Sequence, residues 1–470
     1  MNPVLRRIND LPGPRGWPLV GNLLQLDSRR LHLQLEGWSR KYGPYMRLRL
    51  GPRPAMVVAD HRAVAAMLRD RPDNYRRTLR IEEIGHEMGL LPGVFSAEGE
   101  TWKRQRRMVM AGFDPAHVRR YHPALLRVAE RLARRWQRAA EQGSTIDLQA
   151  DLMRYTVDAI AGLAFGAEVN TLESDGDVIQ QHLDKIFPTL FRRMVSPFPT
   201  WRWWRTAEVR DLERSMKAVN SAVQDFIKQS RQRLLAEPQR RVQPQNLLEA
   251  MLAAADHPES GIDDVQVAGN VLTMLLAGED TTANTLAWMI HLLWQHPAAL
   301  QRATDEVRSV LGTTDAPTLE QLAALEFVEA CAHEAMRLKP VAPILGVQAL
   351  RDTVVGDVAV PAGSLLIGLM RYDSVSDVHV AHAQAFDPQR WLGAAADAPK
   401  RVSMPFGAGP RICPGRYIAL VEIKLAMAVL LSRFDIAHVG TANGQPPAER
   451  MSFTMMPVGL LMRLKVRLMA

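Results

Sequence analysis

Residues 406–415 read Phe-Gly-Ala-Gly-Pro-Arg-Ile-Cys-Pro-Gly and enclose one of the chain's two cysteines in a glycine-rich loop. Glycine permits positive φ and close backbone approach, so such a loop can direct several N–H groups at the sulfur of Cys413. A thiolate held in this way can bind haem iron as an axial ligand. The alternative is a Gly/Pro turn before a core helix, with a buried and inert cysteine.

The neighbours of the cysteine suit the same interpretation. Arg411 can form a charge-assisted hydrogen bond with a haem propionate. Phe406 can lie over the sulfur and exclude water, while Gly407 and Gly415 let the loop turn closely around it. An apolar helix is predicted directly after Gly415, and its N-terminal dipole would point at a thiolate. We therefore predict that residues 404–432 form a cysteine loop and the helix that follows it.

The longest predicted helix spans residues 261–296, with Asp263 and Asp264 as capping candidates and Pro297 beyond its end. Its apolar pattern is interrupted by a polar island, Ala277-Gly-Glu-Asp-Thr-Thr282. Unpaired buried polar groups cost about 1–3 kcal/mol each, so an island in a core helix indicates function.

The residue types of the island predict its chemistry. Small Ala277 and Gly278 would let a flat cofactor or substrate approach. Thr281 can hydrogen-bond to the carbonyl four residues earlier, which would open a groove for O₂ or water. We predict that Thr281, Asp280 and Glu279 are catalytic. The alternative is that both carboxylates face solvent and that the backbone merely satisfies Thr281.

Two further pairs share helix faces. Glu334 and Arg337 are three residues apart, with Arg390 as a candidate third member, and we predict a structural triad without chemistry. Trp102 and Arg106 are four residues apart on another helix. A helix with a snorkelling arginine is an equally good interpretation of that second spacing.

Composition and pattern predict one large domain over residues 1–470, mainly α with small β-sheets and a long central helix. Hydrophobic residues make up 47% of the chain, and neither a repeat nor a low-complexity block is evident. Residues 1–25 form a proline-rich lead-in. Helices dominate between Trp102 and Leu252, with breaks at several prolines including Pro123. Strands are predicted at 45–59 and 353–367, and a terminal hairpin at 453–468.

Charge and targeting signals exclude other classes. The net charge is +8, from 58 basic and 50 acidic residues, but the arginines are scattered along helical patterns, which disfavours nucleic-acid binding. The first ten residues contain no apolar signal segment, and no run of eighteen apolar residues predicts a membrane span. Cys331 and Cys413 lie in different contexts, so we expect no disulfide framework and a reducing, cytoplasmic location.

Five signals together resemble one family. The pattern Phe-x-x-Gly-x-Arg-x-Cys-x-Gly at 406–415 is similar to the haem-binding signature of the cytochrome P-450 haem-thiolate monooxygenases. The motifs Trp-x-x-x-Arg, Ala-Gly-x-Asp-Thr-Thr, Glu-x-x-Arg and Phe-x-Pro-x-Arg precede it in the family's order. The resemblance covers essentially the whole chain and, given the lead-in without an anchor, indicates a soluble bacterial-type member.

The resemblance implies haem b as cofactor, with Cys413 as iron ligand and Trp102 and Arg106 at a propionate. It also implies that Asp280 and Thr281 direct protons to bound O₂ and that the Glu-x-x-Arg triad stabilises the haem-side core. The substrate would be hydrophobic, such as a lipid, terpene, steroid or polyketide-like molecule. Its pocket would be formed by residues 81–95, Ala277, residues 341–345, Met455 and Met456.

Electrons would come from a separate protein, because the sequence has neither a Gly-x-Gly-x-x-Gly unit nor a cysteine cluster. A ferredoxin or flavodoxin with an NAD(P)H reductase is the expected partner. Arg104, Arg107, Arg416 and Lys424 would form a basic patch on the cysteine side that attracts such an acidic carrier. Plain surface charge is the alternative.

One departure and two rival functions remain. Many family members carry a propionate-binding arginine about ten residues after Glu-x-x-Arg, whereas this chain has Val347 and Gln348 there, and Arg351 is not assigned that role. A peroxide-driven haem-thiolate enzyme is one rival, although that branch replaces the acid-threonine pair with Arg and Pro. A haem-thiolate binding protein without catalysis is the other.

Overall fold

The computed structural model describes residues 5–167, 169–174 and 178–467. Over these residues the protein is mainly helical with small β-sheets, as predicted. The helices are α1 (Leu31–Tyr42), α2 (His61–Arg69), α3 (Leu79–Glu87), α4 (Gly99–Gly112), α5 (Pro115–Glu141), α6 (Leu148–Phe165), α7 (Val178–Val195), α8 (Thr200–Trp203), α9 (Ala207–Ala236), α10 (Leu247–Ala255), α11 (Asp264–Gln295), α12 (Pro297–Leu311), α13 (Leu319–Ala323), α14 (Glu326–Leu338), α15 (Asp397–Val402) and α16 (Arg416–Arg433). The strands are β1 (Arg6–Arg7), β2 (Tyr45–Leu50), β3 (Arg53–Val58), β4 (Tyr75–Arg77), β5 (Ile146–Asp147), β6 (Ile344–Ala349), β7 (Thr353–Val355), β8 (Val358–Val360), β9 (Leu365–Leu369), β10 (Phe434–Thr441), β11 (Glu449–Met451), β12 (Met455–Pro457) and β13 (Leu460–Val466).

The long helix α11 is the centre of the core. Asp263 caps it by accepting a hydrogen bond from the Gln266 backbone N–H at 2.7 Å, and the Gln266 side chain binds back to the Asp263 N–H at 3.3 Å. The helix ends before Pro297, which opens α12. Most of its residues are buried, and it packs against α6 and α14. The predicted range of 261–296 therefore differs from the observed one by three residues at the start and one at the end.

The largest sheet has the strand order β2-β3-β9-β6-β4. The antiparallel β2–β3 hairpin confirms the strands predicted at 45–59, and β7, β8 and β9 confirm those at 353–367. At the edge of the sheet β4 pairs antiparallel with β6, which sets Arg77 directly opposite Val347. That register matters for the site below.

The terminal hairpin predicted over 453–468 is wrong. Strand β12 pairs with β11, while β13 pairs with β10 and with β5. The physical reason is burial: alternate residues of β13, among them Met462 and Leu464, are apolar and lie against the helical core, where α5 covers them. Residue 468 lies outside the described residues.

Two local features also depart from expectation or extend it. Helix α5 continues through Pro123, where the sequence predicts a break. A proline within a long helix can be accommodated as a kink.

In the lead-in, β1 pairs with β8, and Arg6 forms a 2.6 Å ion pair with Asp357. Residues 1–4 of the lead-in lie outside the described residues.

Candidate functional site

The cysteine loop is shaped by two glycines with positive φ, Gly407 at 74° and Gly409 at 71°. A Cβ on Gly409 would lie 2.6 Å from the Cα of Arg69 at the end of α2, so only glycine allows this approach. The backbone N–H of Cys413 donates to the carbonyl of Phe406 at 2.9 Å, which turns the chain back on itself. The sulfur is thereby placed just before the start of α16.

The Cys413 sulfur lies among groups that would stabilise a thiolate, although burial outweighs them for the free thiol. Burial raises the pKa of the thiol, and several groups oppose that rise. They are the backbone N–H groups of Gly415 and Arg416 and the positive charges of Arg106 and Arg416. A thiolate bound to a metal would use these same donors and charges.

The polar island of α11 has defined partners. Thr281 Oγ1 donates to the carbonyl of Ala277 at 2.9 Å, the back-bond predicted from the sequence. One oxygen of Asp280 accepts from Asn284 Nδ2 at 2.6 Å, and the other accepts from the hydroxyl of Thr454 between β11 and β12. Burial raises the pKa of Asp280, and these two hydrogen bonds oppose the rise.

Glu279 turns toward a different neighbour. It shares a hydrogen bond with Asp184 of α7, and burial, followed by the charges of Asp184 and Asp280, holds its pKa well above the usual value. Its side chain is 3% exposed. The structure therefore separates Glu279 from the partners of Asp280, although the sequence grouped both as catalytic.

The two small residues of the island have different surroundings. A Cβ on Gly278 would lie 2.9 Å from Cγ1 of Ile160, so this glycine serves close packing of α11 against α6. The expectation that Gly278 admits a flat cofactor is therefore corrected. Ala277 is exposed even though Leu276 and Leu275 beside it are buried, which leaves open space against the middle of the central helix.

Glu334, Arg337 and Arg390 come together as the sequence predicted. Arg337 donates to both oxygens of Glu334, at 2.8 and 2.7 Å, and Arg390 Nε donates to one of them at 3.0 Å. The backbone N–H of Asp387 and the indole N–H of Trp391 donate as well, at 3.0 and 2.8 Å. Sequence reasoning missed Trp391, although it directly follows Arg390 in the motif.

The remaining predicted cofactor contacts lie beside the cysteine loop. Arg106 Nη2 donates to the carbonyl of Ile412 at 2.8 Å. The Arg411 guanidinium lies 4.6 Å from the centre of the Trp102 ring and forms an ion pair with Glu98. Trp102 and Arg106 belong to α4, Glu98 is its N-cap, and Arg411 belongs to the cysteine loop. The structure therefore brings the propionate contacts predicted on α4 beside the one predicted in the loop.

Two arginines that the sequence analysis missed join this cluster. Burial, followed by the charges of Arg71 and Arg411, holds the pKa of Arg77 well below its usual value. Arg71 is 3% exposed, its Nε and Nη2 find no hydrogen-bond partner, and burial lowers its pKa to about 10. Nε of Arg411 is unpartnered too. Glu98 is the carboxylate that these arginines share, so the cluster carries an excess of positive charge.

Arg77 lies directly opposite Val347, the position on β6 at which many family members carry an arginine. Directly opposed residues of antiparallel strands project from the same face of a sheet, so Arg77 lies on the face of Val347. The signal was present as the pair Arg76-Arg77 in the sequence, but it could be recognised only from the register of β4 against β6. Arg351 lies elsewhere, bonded to Asn74.

The predicted basic patch is only partly present. Arg107 and Arg416 are exposed and Arg104 is half-buried. Lys424 is 5% exposed and forms an ion pair with Glu329 of α14. Its assignment to the patch is wrong because α16 is buried on nearly all sides, so a lysine in the middle of this helix needs an internal partner.

Aromatic rings join three segments near the island. Phe453, which precedes Thr454, stacks on Phe187 of α7 with ring centres 4.4 Å apart. It also lies 5.8 Å from Phe95, within the segment 81–95 predicted for the pocket. All three rings are half-buried, which leaves apolar surface available beside the island.

A supported cysteine sulfur, an arginine cluster and a threonine-acid pair on a central helix define the class of thiolate-ligated haem proteins that handle O₂. The model of the family described as Cytochrome P-450 matches residues 11–464. The chain belongs to the cytochrome P-450 family.

Individual relatives are distant but extend over most of the chain. Pentalenene oxygenase of Streptomyces avermitilis is 26% identical over 449 residues, covering 93% of each protein. Carotene epsilon-monooxygenase of Arabidopsis thaliana is 29% identical over 434 residues, covering 87% of this chain and 77% of that protein. The bifunctional cytochrome P-450/NADPH–P-450 reductase of Bacillus cereus is 26% identical over 447 residues, covering 92% of this chain and 40% of that protein.

Membership establishes the enzyme class. The protein is a haem-thiolate monooxygenase with haem b as its cofactor; it consumes O₂ and depends on a redox partner for electrons. In the part of the chain that the structure describes, helices long and apolar enough to cross a membrane are absent.

Proposed function

We propose that Cys413 ligates the haem iron and that the arginine cluster binds the haem propionates. The observation that carries this is the combination of a buried positive excess, with unpartnered nitrogens on Arg71 and Arg411, and open space at Ala277. Two carboxylates of a haem would supply the missing negative charge. Trp102, Arg106 and Arg411 would hold one side of the cofactor, while Phe406, Gly407 and Gly415 shape the loop around the sulfur.

Arg77 would take the role that the family usually gives to an arginine on β6. We expect Arg77→Gln to speed the loss of haem from the holoprotein about tenfold, since one charge-assisted hydrogen bond is worth about 1.5–3 kcal/mol. The measurement is transfer of haem to excess apomyoglobin, followed by absorbance. Arg76→Gln is the matched control, because Arg76 pairs with Glu82. Equal rates for the two variants would remove Arg77 from the haem site.

Within the enzyme we assign proton delivery to Thr281 and Asp280. Bound haem supplies the redox chemistry that activates O₂. Thr281 borders the open space beside Ala277, and its back-bond to the helix leaves the oxygen lone pairs free to accept a proton donor. Asp280 lies next to it, and burial raises its pKa, which is the direction that favours proton transfer by a carboxyl group. Glu279, paired with Asp184, would act at a distance as part of the acidic surroundings.

The substrate is proposed to be a hydrophobic molecule of the size of a terpenoid or a lipid. The half-buried rings of Phe95, Phe187 and Phe453 and the aliphatic segment at Val341–Leu345 support an apolar wall. The relatives named for pentalenene and carotene add support for this class. Terpenoids, steroids and long-chain fatty acids are therefore the first ligands to screen for shifts of the haem Soret band.

Replacing Thr281 by alanine tests this assignment. With a ligand from that screen, we expect Thr281→Ala to consume NAD(P)H while the product formed per NAD(P)H falls about tenfold and hydrogen peroxide accumulates. Thr285→Ala is the matched control, because Thr285 makes the same back-bond one turn further on, at 2.8 Å, but is buried. Coupling that is unchanged in Thr281→Ala would exclude the threonine. Turnover by peroxide alone, with none from NAD(P)H, would replace the monooxygenase by a peroxide-driven enzyme.

We propose a ferredoxin or flavodoxin as the electron donor. The exposed charges of Arg107 and Arg416 beside the cysteine loop suit an acidic carrier. Turnover rates with each carrier in the coupled assay, compared at two ionic strengths, show which carrier donates the electrons.

We further propose that residues 1–470 form one domain in the cytoplasm. The main apolar cluster extends from Ile81 to Leu464, and both cysteines are free thiols.

A further inference from the structure

A group of metal-ligating side chains lies away from the haem site, where α2 begins. Within the described residues, His61, Asp373 and His379 bring their ligand atoms to within 4.8 Å of one another. His61 is the first residue of α2, and the other two lie in the segment that follows β9. Two imidazoles and one carboxylate form a familiar ligand set for Zn²⁺ and related ions.

The carboxylate of Asp373 is held between the two rings. One oxygen accepts from the backbone N–H of His61 and contacts its Nδ1, each at 2.8 Å. The other oxygen faces His379 Nε2 at 3.6 Å, which is too long for a hydrogen bond. The rings lie edge to face, with centres 4.7 Å apart. The backbone hydrogen bond holds the carboxylate independently of either imidazole, so the His61 ring could exchange its contact with Asp373 for a bond to a metal.

The spacing suits tetrahedral coordination. Bonds of about 2.0–2.2 Å from zinc to nitrogen and oxygen put neighbouring ligand atoms about 3.3 Å apart. The observed distances lie on either side of that value: 2.8 Å from His61 Nδ1 to one oxygen of Asp373, and 3.6 Å from His379 Nε2 to its other oxygen. The side chains of His61 and Asp373 are 12% and 11% exposed and that of His379 is 28% exposed, so an ion has a route in and a position for water as fourth ligand.

Neighbouring charges do not compete for this group. Arg371, two residues before Asp373, is committed to Glu36 at 2.9 Å and to Glu449 at 3.0 Å. Asp60 caps α2 through the backbone N–H of Ala63. Burial raises the pKa of the nearby Tyr45, and the charges of Asp60 and Asp373 add to the rise. Two carboxylates in the same region attract a cation.

We propose that His61, Asp373 and His379 bind one zinc-class divalent ion that fastens α2 to the segment after β9. Both elements touch parts of the haem site. Helix α2 ends against Gly409 of the cysteine loop, and the carbonyl of Ser374 accepts a hydrogen bond from Arg337. Zinc binding would therefore restrict the movement of two segments that pack against the haem site, without a contact to the cofactor.

The test uses haem-loaded enzyme and zinc chloride as the probe. We expect one saturable Zn²⁺ per chain in equilibrium dialysis at micromolar concentrations, no comparable binding of Mg²⁺, and a rise in Tm of a few degrees at saturation. His61→Ala and His379→Ala should each weaken binding at least tenfold. His382→Ala is the matched control, because that histidine is exposed three residues further on and should retain full affinity.

Two measurements keep the outcome decisive. If His61→Ala fails to fold, His379→Ala still tests the site, because the His379 side chain is more exposed than that of His61. Zinc-edge X-ray absorption of the wild type reports the ligands directly. Two imidazole nitrogens and light oxygen ligands would support the site. Binding that survives His379→Ala, a different ligand set, or no saturable binding would overturn it.

Discussion

Cys413→Ala is expected to remove the red-shifted Soret band that the reduced CO complex of a thiolate-ligated haem gives. We propose that this side chain supplies the axial sulfur, since the N–H groups of Gly415 and Arg416 face it and the other cysteine, Cys331, is buried in α14. Monooxygenase turnover should fall below detection, since the thiolate provides the electron density that favours O–O cleavage. Absorbance of the reduced CO complex is the measurement.

Cys331→Ala is the matched control for this experiment. Cys331 is fully buried in α14, and burial holds the pKa of its thiol well above the usual value, as expected of an inert core residue. The variant should lose about 1 kcal/mol of unfolding free energy. Its reduced CO complex should keep the same red-shifted Soret band as the wild type. A red-shifted band that persists in Cys413→Ala would refute the ligand assignment.

Glu334→Gln is expected to lower the free energy of unfolding by about 3–5 kcal/mol, because it leaves Arg337 buried without its counter-charge. Both side chains are fully buried. Burial alone would raise the pKa of Glu334. The hydrogen bonds and the charge of Arg337 outweigh burial, together with the hydrogen bonds from the Asp387 backbone and the Trp391 indole, and they hold the pKa below its usual value. The wild-type advantage should therefore be complete above the unfolded pKa of about 4.3 and disappear as the pH falls through the lower folded pKa.

Urea unfolding of the holoprotein, followed by circular dichroism and by haem absorbance, measures this loss. Glu326→Gln provides the control, since Glu326 is an exposed carboxylate in the first turn of the same helix, and it should change stability by less than about 0.5 kcal/mol. A loss in Glu334→Gln as small as that of the control would show that the triad contributes nothing to the fold.

Contacts within one helix were the most predictable part of the site. The bonds from Thr281 to Ala277 and from Arg337 to Glu334 follow from spacings of four and three residues, which helix geometry converts directly into neighbours. The cysteine loop was predictable for a related reason, because its glycines and its sulfur are adjacent in sequence.

Contacts that depend on tertiary packing were not predictable. The sequence predicts a surface charge at Lys424, because it does not show that α16 is covered on nearly all sides. Arg77 was missed because its opposition to Val347 is a matter of strand register. Gly278 was assigned to the cofactor side, and only the position of Ile160 shows which helix it faces. In each case the residue type suggested a role, but the sequence did not show which element of the fold the side chain would face.

The placement of Trp102 and Cys413 also has a consequence for biosynthesis. These residues stand 311 positions apart in the chain. At about 5–20 residues per second, translation needs roughly 15–60 s to advance from the first to the second. During most of that interval the nascent chain would carry Arg71, Arg77 and Arg106, but neither Arg411 nor the cysteine proposed to ligate iron. Stable capture of haem must therefore wait until the ribosome has made almost the whole polypeptide.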